Sequence, residues 1–299
     1  MKQKQFVIID DSSEIIKETF PNIQIWNYDK EFDQAIAAAL QTAFPEDQII
    51  NLPTDEISNF FQTQSDNMFR ISLLPQWLYG VHAEQAISMT RVYEWLAWIA
   101  ENKQNTLLTR TGWPIGWELD KIDTFGDWKV AIIDDGLFSG SAVKLVLTKL
   151  KSAWMKAEDI HIIVANNFSG KDTIDWSPVF ALHTINTAEL RDVFEARDVM
   201  MGWKHSGGTT RIAWELFGIT YTRPEIAHGK SSIPHHHAKH YCKQIIQANI
   251  DLMEWIWLLD MELRELLAQS GRKSLLHLHS NQTTTISQAL RAELDLLTT

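Results

Sequence analysis

The sequence predicts an α/β protein: a mostly parallel sheet flanked by helices, with a helical C-terminal tail. Three observations carry that expectation. Short runs rich in Val and Ile recur at residues 6–9, 129–133, 160–165 and 179–185. Stretches with apolar residues at helical spacing lie between them. Apolar strands without alternation need cover on both faces, and helical connections supply it. After about residue 238 the alternation stops and a long two-row helical pattern begins.

Composition bounds the class. A chain of 299 residues can bury a sizeable core as one large domain or two ordinary ones. Apolar residues make up 45% and charged residues 22%, which is the balance of a globular protein rather than a disordered one. The net charge of -11 leaves no global basic footprint, so nucleic acid is not the expected partner. A single cysteine, Cys242, permits no intrachain disulfide and fits a reducing compartment. The most apolar run, residues 252–259, is far short of the roughly 20 residues a membrane span needs. The first residues lack the pattern of a secretory leader. The expectation is a cytoplasmic protein with no membrane partner. The 13 tryptophans are read as core and interface packing.

The elements follow in order. Residues 6–9 (FVII) and 23–26 (IQIW) read as strands, and residues 32–42 as an Ala-rich helix. Residues 47–52 suggest a third strand. Residues 81–102 carry Ala83, Ala86, Ile87, Leu96 and Ile99 near helical spacing and are expected as a long helix. Residues 106–109 (TLLT) and 129–133 (KVAII) read as strands, residues 142–154 as a helix, and residues 160–165 and 179–185 as further strands. In the tail, Ile245, Ala248, Leu252, Trp255, Leu259, Leu263 and Leu266 make one helical row, and Ile246, Ile250, Met253, Trp257 and Met261 a second. A helix this apolar must be buried against its own chain or a partner. Gly271 is a plausible stop, and Thr285 with Gln288 fits a capping box. The expected division is an N-terminal α/β segment at 1–66, a core at 67–200, and a His-rich loop with helical tail at 201–299.

The strongest chemical feature is residues 130–142, VAIIDDGLFSGSA. A buried strand leads to Asp134 and Asp135, then to the small-residue loop Gly136, Leu137, Phe138, Ser139, Gly140 and Ser141, then to a helix. Backbone N–H groups at such a helix start bind an anion, because the unsatisfied donors and the dipole point at it. Ser139 and Ser141 add hydroxyls, and Gly140 permits close approach. The two carboxylates suit sugar hydroxyls or a hydrated Mg²⁺. Phosphate at one end and a diol at the other describe a ribose 5-phosphate. An acidic strand end with a purely structural role is the competing reading.

This stretch resembles the ribose-phosphate loop of type I phosphoribosyltransferases: four apolar residues, an acidic pair, two apolar residues and a Ser/Thr-Gly turn. Gly136 stands where that pattern has an apolar residue, and Ala142 where it has Thr. The form is similar to divergent members of the family. The resemblance implies a phosphoribosyltransferase-like sheet and a 5-phosphoribosyl ligand, either phosphoribosyl pyrophosphate or a nucleotide. It further implies Mg²⁺ carried by the pyrophosphate, catalytic roles for Asp134 and Asp135, and phosphoribosyl contacts from Gly136 through Ala142. Residues 106–116, with Arg110, Thr111 and Gly112, are similar to the family's pyrophosphate loop, and Arg110 could fork to phosphate oxygens. Arg110 as a surface or ion-paired residue is the alternative. Only residues 111–133 separate it from Asp134, a shorter connection than the family's closing lid.

Other segments are weaker. Asn166, Asn167 and Ser169 read as turn chemistry, and residues 206–210 (SGGTT) as a loop with an N-cap. His228, His235, His236, His237 and His240 cluster in sequence. His236 and His240 have metal-ligand spacing, but no acidic residue lies between them to complete a zinc-protease pattern, and no metal ligands are assigned. The acidic pair Asp10–Asp11 is similar to a receiver-domain pocket, yet Asn51 occupies the place of its third-strand aspartate. The resulting expectation is a phosphoribosyltransferase-like protein. It either transfers phosphoribose with release of pyrophosphate or senses a nucleotide without catalysis. A homo-oligomer or protein partner would dock through the 238–270 helix.

Overall fold

The computed structural model describes residues 3–19, 28–74, 78–87, 89–91, 107–109, 128–195, 199–200, 224, 227, 233–262, 265 and 285–298. The chain is mixed α/β, with mostly parallel sheets flanked by helices and a helix near the C-terminus. It forms two compact units, residues 1–53 with 190–299, and residues 54–189.

The first unit is discontinuous because a late strand returns to an early one. Strand β1 (Gln5–Asp10) lies between β2 (Gln48–Pro53) and β11 (Leu190–Glu195), and both pairings are parallel. Phe6, Val7, Ile8 and Ile9 are buried, as a central strand covered on both faces requires. Arg191 fastens the returning strand: its Nε donates to Asp47 Oδ2 at 2.9 Å, and its guanidinium lies over the Phe44 ring. These contacts divide the chain near residues 53 and 190, whereas the sequence suggested boundaries near 66 and 200. Helices α1 (Ser12–Thr19) and α2 (Tyr28–Ala43) follow β1.

Helix α5 (His235–Trp255) packs on α2 and on α6 (Ile286–Leu296). Its residues Ala238, Tyr241, Cys242, Ile245, Ile246, Ala248, Leu252 and Met253 are buried. Over these residues the apolar rows pack on their own chain, one of the two alternatives the sequence left open. The helix also ends sooner than its pattern suggested. Trp257 adopts φ 60, its N–H reaches the Glu254 carbonyl, and the Leu258 N–H reaches the Met253 carbonyl. That is a Schellman stop, which a periodicity argument does not see. The capping box at α6 forms as expected: the Thr285 N–H donates to Gln288 Oε1, and the Gln288 N–H to Thr285 Oγ1.

The second unit contains a six-stranded sheet in the order β4-β3-β7-β8-β10-β9. The strands are β3 (Phe69–Ser72), β4 (Gln85–Ala86), β7 (Val130–Leu137), β8 (Ile160–Asn167), β9 (Thr173–Ile174) and β10 (Ser177–Thr184). All pairs are parallel except the edge pair β9–β10. Helix α4 (Ser141–Ser152) packs Val143, Val146, Leu147 and Leu150 into a cluster with Ile132, Ile162 and Val164. Helix α3 (Thr54–Gln64) buries Ile57 and Phe61 and packs against β8 and β10. A separate two-stranded antiparallel pair is formed by β5 (Met89–Arg91) and β6 (Leu107–Thr109).

The helix expected over 81–102 is not formed where the structure describes it. Residues 85–86 form β4, which pairs with Ile71 and Ser72, and residues 89–91 form β5, which pairs with β6. Tertiary pairing overrides helical periodicity here. The strand expected at 23–26 lies outside the described residues.

Four of the five described tryptophans also depart from the packing role expected of them, while Trp255 is half-buried. Trp128, Trp154, Trp176 and Trp257 are exposed, Trp154 by 93%. Trp154 ends α4 as Trp257 ends α5: it has φ 67, its N–H reaches the Lys151 carbonyl, and the Met155 N–H reaches the Leu150 carbonyl. Glycine normally fills this left-handed position, because a Cβ there costs energy. Trp154→Gly is therefore expected to stabilise the fold by about 1 kcal/mol, since little indole burial is lost. A rise in the urea midpoint at unchanged slope would show it, and a fall would mean that the indole packs after all.

Candidate functional site

The proposed loop is built at the carboxyl end of β7. The strand runs further than its apolar run suggested: Asp134, Asp135, Gly136 and Leu137 all belong to it. Asp134, Gly136 and Leu137 pair in register with Val164, Asn166 and Asn167 of β8. The turn proper is then only Phe138, Ser139 and Gly140, with α4 starting at Ser141.

Each residue of the turn has a physical assignment. Gly140 is the N-cap of α4, with φ 74 and ψ 13. It has no side chain to cap the first-turn N–H groups, and these have no intrahelical acceptor. A Cβ on Gly140 would lie 2.7 Å from Ile174 Cδ1 and 3.6 Å from Leu137 Cδ1, so one side of the bend is packed shut. The other side carries the hydroxyls. Ser139 and Ser141 are exposed, their Oγ atoms are 2.8 Å apart, and the Ser141 N–H points to Ser139 Oγ at 3.4 Å. Ala142 is half-buried.

Gly136 is glycine for a local reason. A Cβ there would meet the rings of Phe138 at 3.3 Å and Phe168 at 3.4 Å. Those rings are stacked, with centroids 4.5 Å apart and planes at 25°. Phe168 is buried, whereas Phe138 is 41% exposed. The turn thus presents an aromatic face beside its hydroxyls.

Asp134 and Asp135 are both half-buried, and the Asp135 N–H donates to Asp134 Oδ1 at 3.0 Å. Successive strand residues point to opposite faces, so a ligand held against one face meets one carboxylate directly. Their hard oxygen donors suit Mg²⁺. Among the described residues no three His, Cys, Asp or Glu groups converge on a metal position, so an ion here would need ligand oxygens as well.

Asn166 belongs to this strand end and not to a turn. It is fully buried, its Nδ2 donates to the Asp135 carbonyl at 3.4 Å, and its Oδ1 has no hydrogen-bond partner. Leaving a buried acceptor unpaired costs roughly 1–3 kcal/mol. Its register partner on β10, His183, has Nε2 3.9 Å from Glu56 Oε1, beyond hydrogen-bond reach. Asn167 and Ser169 do serve a turn. Asn167 Oδ1 accepts from the Ser169 N–H, the Ser169 hydroxyl and the Gly170 N–H, and its Nδ2 donates to the Lys171 carbonyl.

Phe168, Ile174 and the strand role of Asn166 had no motif to announce them. The glycine at 136 was the available signal, since a missing side chain in a strand marks a close approach. Arg110, Thr111, Gly112 and residues 206–210 lie outside the described residues. Strand β6, which leads toward Arg110, belongs to the separate antiparallel pair, and the neighbours of β7 are β3 and β8.

Compared with protein-family models, curated proteins and solved structures, the chain has no match. Among the described residues no helix is long and apolar enough to cross a membrane.

Proposed function

We propose that the unit at residues 54–189 binds a 5-phosphoribosyl ligand at the carboxyl end of β7, in the manner of a phosphoribosyltransferase-like protein. The observation that carries this reading is the strand, left-handed glycine and helix start at Leu137, Gly140 and Ser141, with two exposed hydroxyls beside two half-buried carboxylates. Ligands of parallel α/β sheets sit at this edge. First-turn N–H groups and the Ser139 and Ser141 hydroxyls would hold the phosphate. Whichever of Asp134 and Asp135 lies on the ligand's face would accept from ribose hydroxyls, and the charge of both would steady positive charge developing on the sugar. Mg²⁺ would arrive on the pyrophosphate of the ligand.

Calorimetry with phosphoribosyl pyrophosphate and Mg²⁺ tests the reading. The parent is expected to bind one equivalent. Asp134→Asn combined with Asp135→Asn should weaken binding at least about tenfold, the worth of one charge-assisted hydrogen bond. The single variants should differ, because the strand sends the two carboxylates to opposite faces. A parent that takes up neither phosphoribosyl pyrophosphate nor ribose 5-phosphate would sink the proposal.

One observation favours the non-catalytic version, a nucleotide sensor. The exposed Phe138 ring, held by Phe168, offers a stacking face for a base. Binding of nucleoside monophosphates without pyrophosphate release across a panel of bases would select it.

A further inference from the structure

We propose that His236 and His240 form a two-imidazole site for a divalent transition metal on the exposed side of α5. The helix is fully formed at this point. Pro234 starts it, and its carbonyl accepts from the His237 and Ala238 N–H groups at 2.8 and 3.0 Å. Positions four apart on a formed helix stand one above the other on one face. Both histidines are exposed, while Ala238, Tyr241 and Cys242 are buried on the packed side. The pair therefore faces water. Helical His pairs at this spacing are established first-row metal ligands.

The chemistry narrows the ion. The first turn of α5 holds no acidic residue, so the site offers nitrogen donors without carboxylate. That set suits copper, nickel or zinc and does not suit magnesium or calcium. The half-buried His237 ring lies beside that of His236, with centroids 4.1 Å apart. Among the described residues no three His, Cys, Asp or Glu groups converge, so the protein supplies two ligands and leaves the remaining positions to water or an incoming donor. The helix N-terminus, Lys239 and Lys243 add positive charge nearby, so the ion must be held by strong coordination rather than by field. Affinity should then follow the ordinary series, with Cu²⁺ tighter than Ni²⁺ and Zn²⁺.

The test titrates the full chain, freed of metal by chelation, with Cu²⁺ and then Ni²⁺, and records the electron paramagnetic resonance of the copper form. The expected result is one copper per chain with two-nitrogen coupling. His236→Ala and His240→Ala should each weaken binding at least about tenfold, because loss of an inner ligand costs no less than loss of an outer-sphere partner. His235→Ala, off the shared row, should leave affinity unchanged. All three positions are exposed on a helix, where alanine favours folding, and circular dichroism checks it. Copper uptake unchanged by His236→Ala and His240→Ala would place the ion on other histidines and overturn the proposal. Failure of the parent to take up copper would overturn it as well.

Discussion

Gly140→Ala is expected to destabilise the unit at residues 54–189 by about 2 kcal/mol and to remove ligand binding with it. Two costs add. A Cβ at φ 74 stands in the left-handed region, which costs an L-residue roughly 1–2 kcal/mol. The new atom also lies 2.7 Å from Ile174 Cδ1, the far end of a flexible side chain, so that side chain must turn aside at a cost of roughly 0.5–1.5 kcal/mol. Gly170 provides the control. It has φ 64 and nothing within 4 Å of its would-be Cβ, so Gly170→Ala should show only the backbone cost. Ile174→Val removes the clashing Cδ1, and in the Gly140→Ala background it should recover part of the loss. Urea unfolding of the four proteins measures all of this. Equal effects at Gly140 and Gly170 would refute the packed underside of the turn.

The second large effect lies in the other unit and concerns pH. Asp192 sits on β11, and burial pushes its carboxyl up to about 6, against an opposing hydrogen bond from the Val193 N–H. The folded state therefore holds its proton more tightly than the unfolded chain, whose carboxyl titrates near 3.8. Stability from this group is fully present below about pH 4 and is lost as pH rises to about 6. Two units of pKa correspond to roughly 3 kcal/mol. Asp192→Asn should therefore be more stable than the parent at pH 8, by up to that amount, with the difference vanishing near pH 4. Urea unfolding at pH 4, 6 and 8 tests it. A parent no less stable at pH 8 than its Asn variant would show that the carboxylate is well solvated. Tyr241 on α5 belongs to the same interior. Its hydroxyl is buried without a hydrogen-bond partner, and burial first, then Cys242 and Asp192, hold its pKa well above the usual phenol value. It should stay neutral through this range.

Much of the fold was legible from apolar runs. The buried strands β1, β7 and β8 each centre on a Val/Ile-rich stretch, the half-buried β10 covers most of the apolar run expected at 179–185, and the helix after Gly140 starts within one residue of its expectation. Legibility failed where a pattern was short or two-sided. Residues 81–87 carry helical spacing but take irregular and strand conformations, because β3 offers β4 a sheet edge that outweighs local preference. The end of α5 was hidden because a tryptophan, and not a glycine, occupies the left-handed position. At the candidate site the acidic pair and the Ser-Gly-Ser turn were readable as a motif. The stacked rings over Gly136 and the orphaned Asn166 oxygen were not, since Phe138 and Phe168 are brought together across two strands.

By itself the sequence determined the α/β class, the strand-to-helix turn near residue 140 and the capping box at Thr285, because each rests on interactions between residues close along the chain. Only the tertiary structure decided that β11 closes the first sheet beside β1, that β6 leaves the sheet of β7, and that Ile174 seals one side of the turn. Those outcomes depend on which distant surfaces bury one another most completely, and no local spacing carries that information.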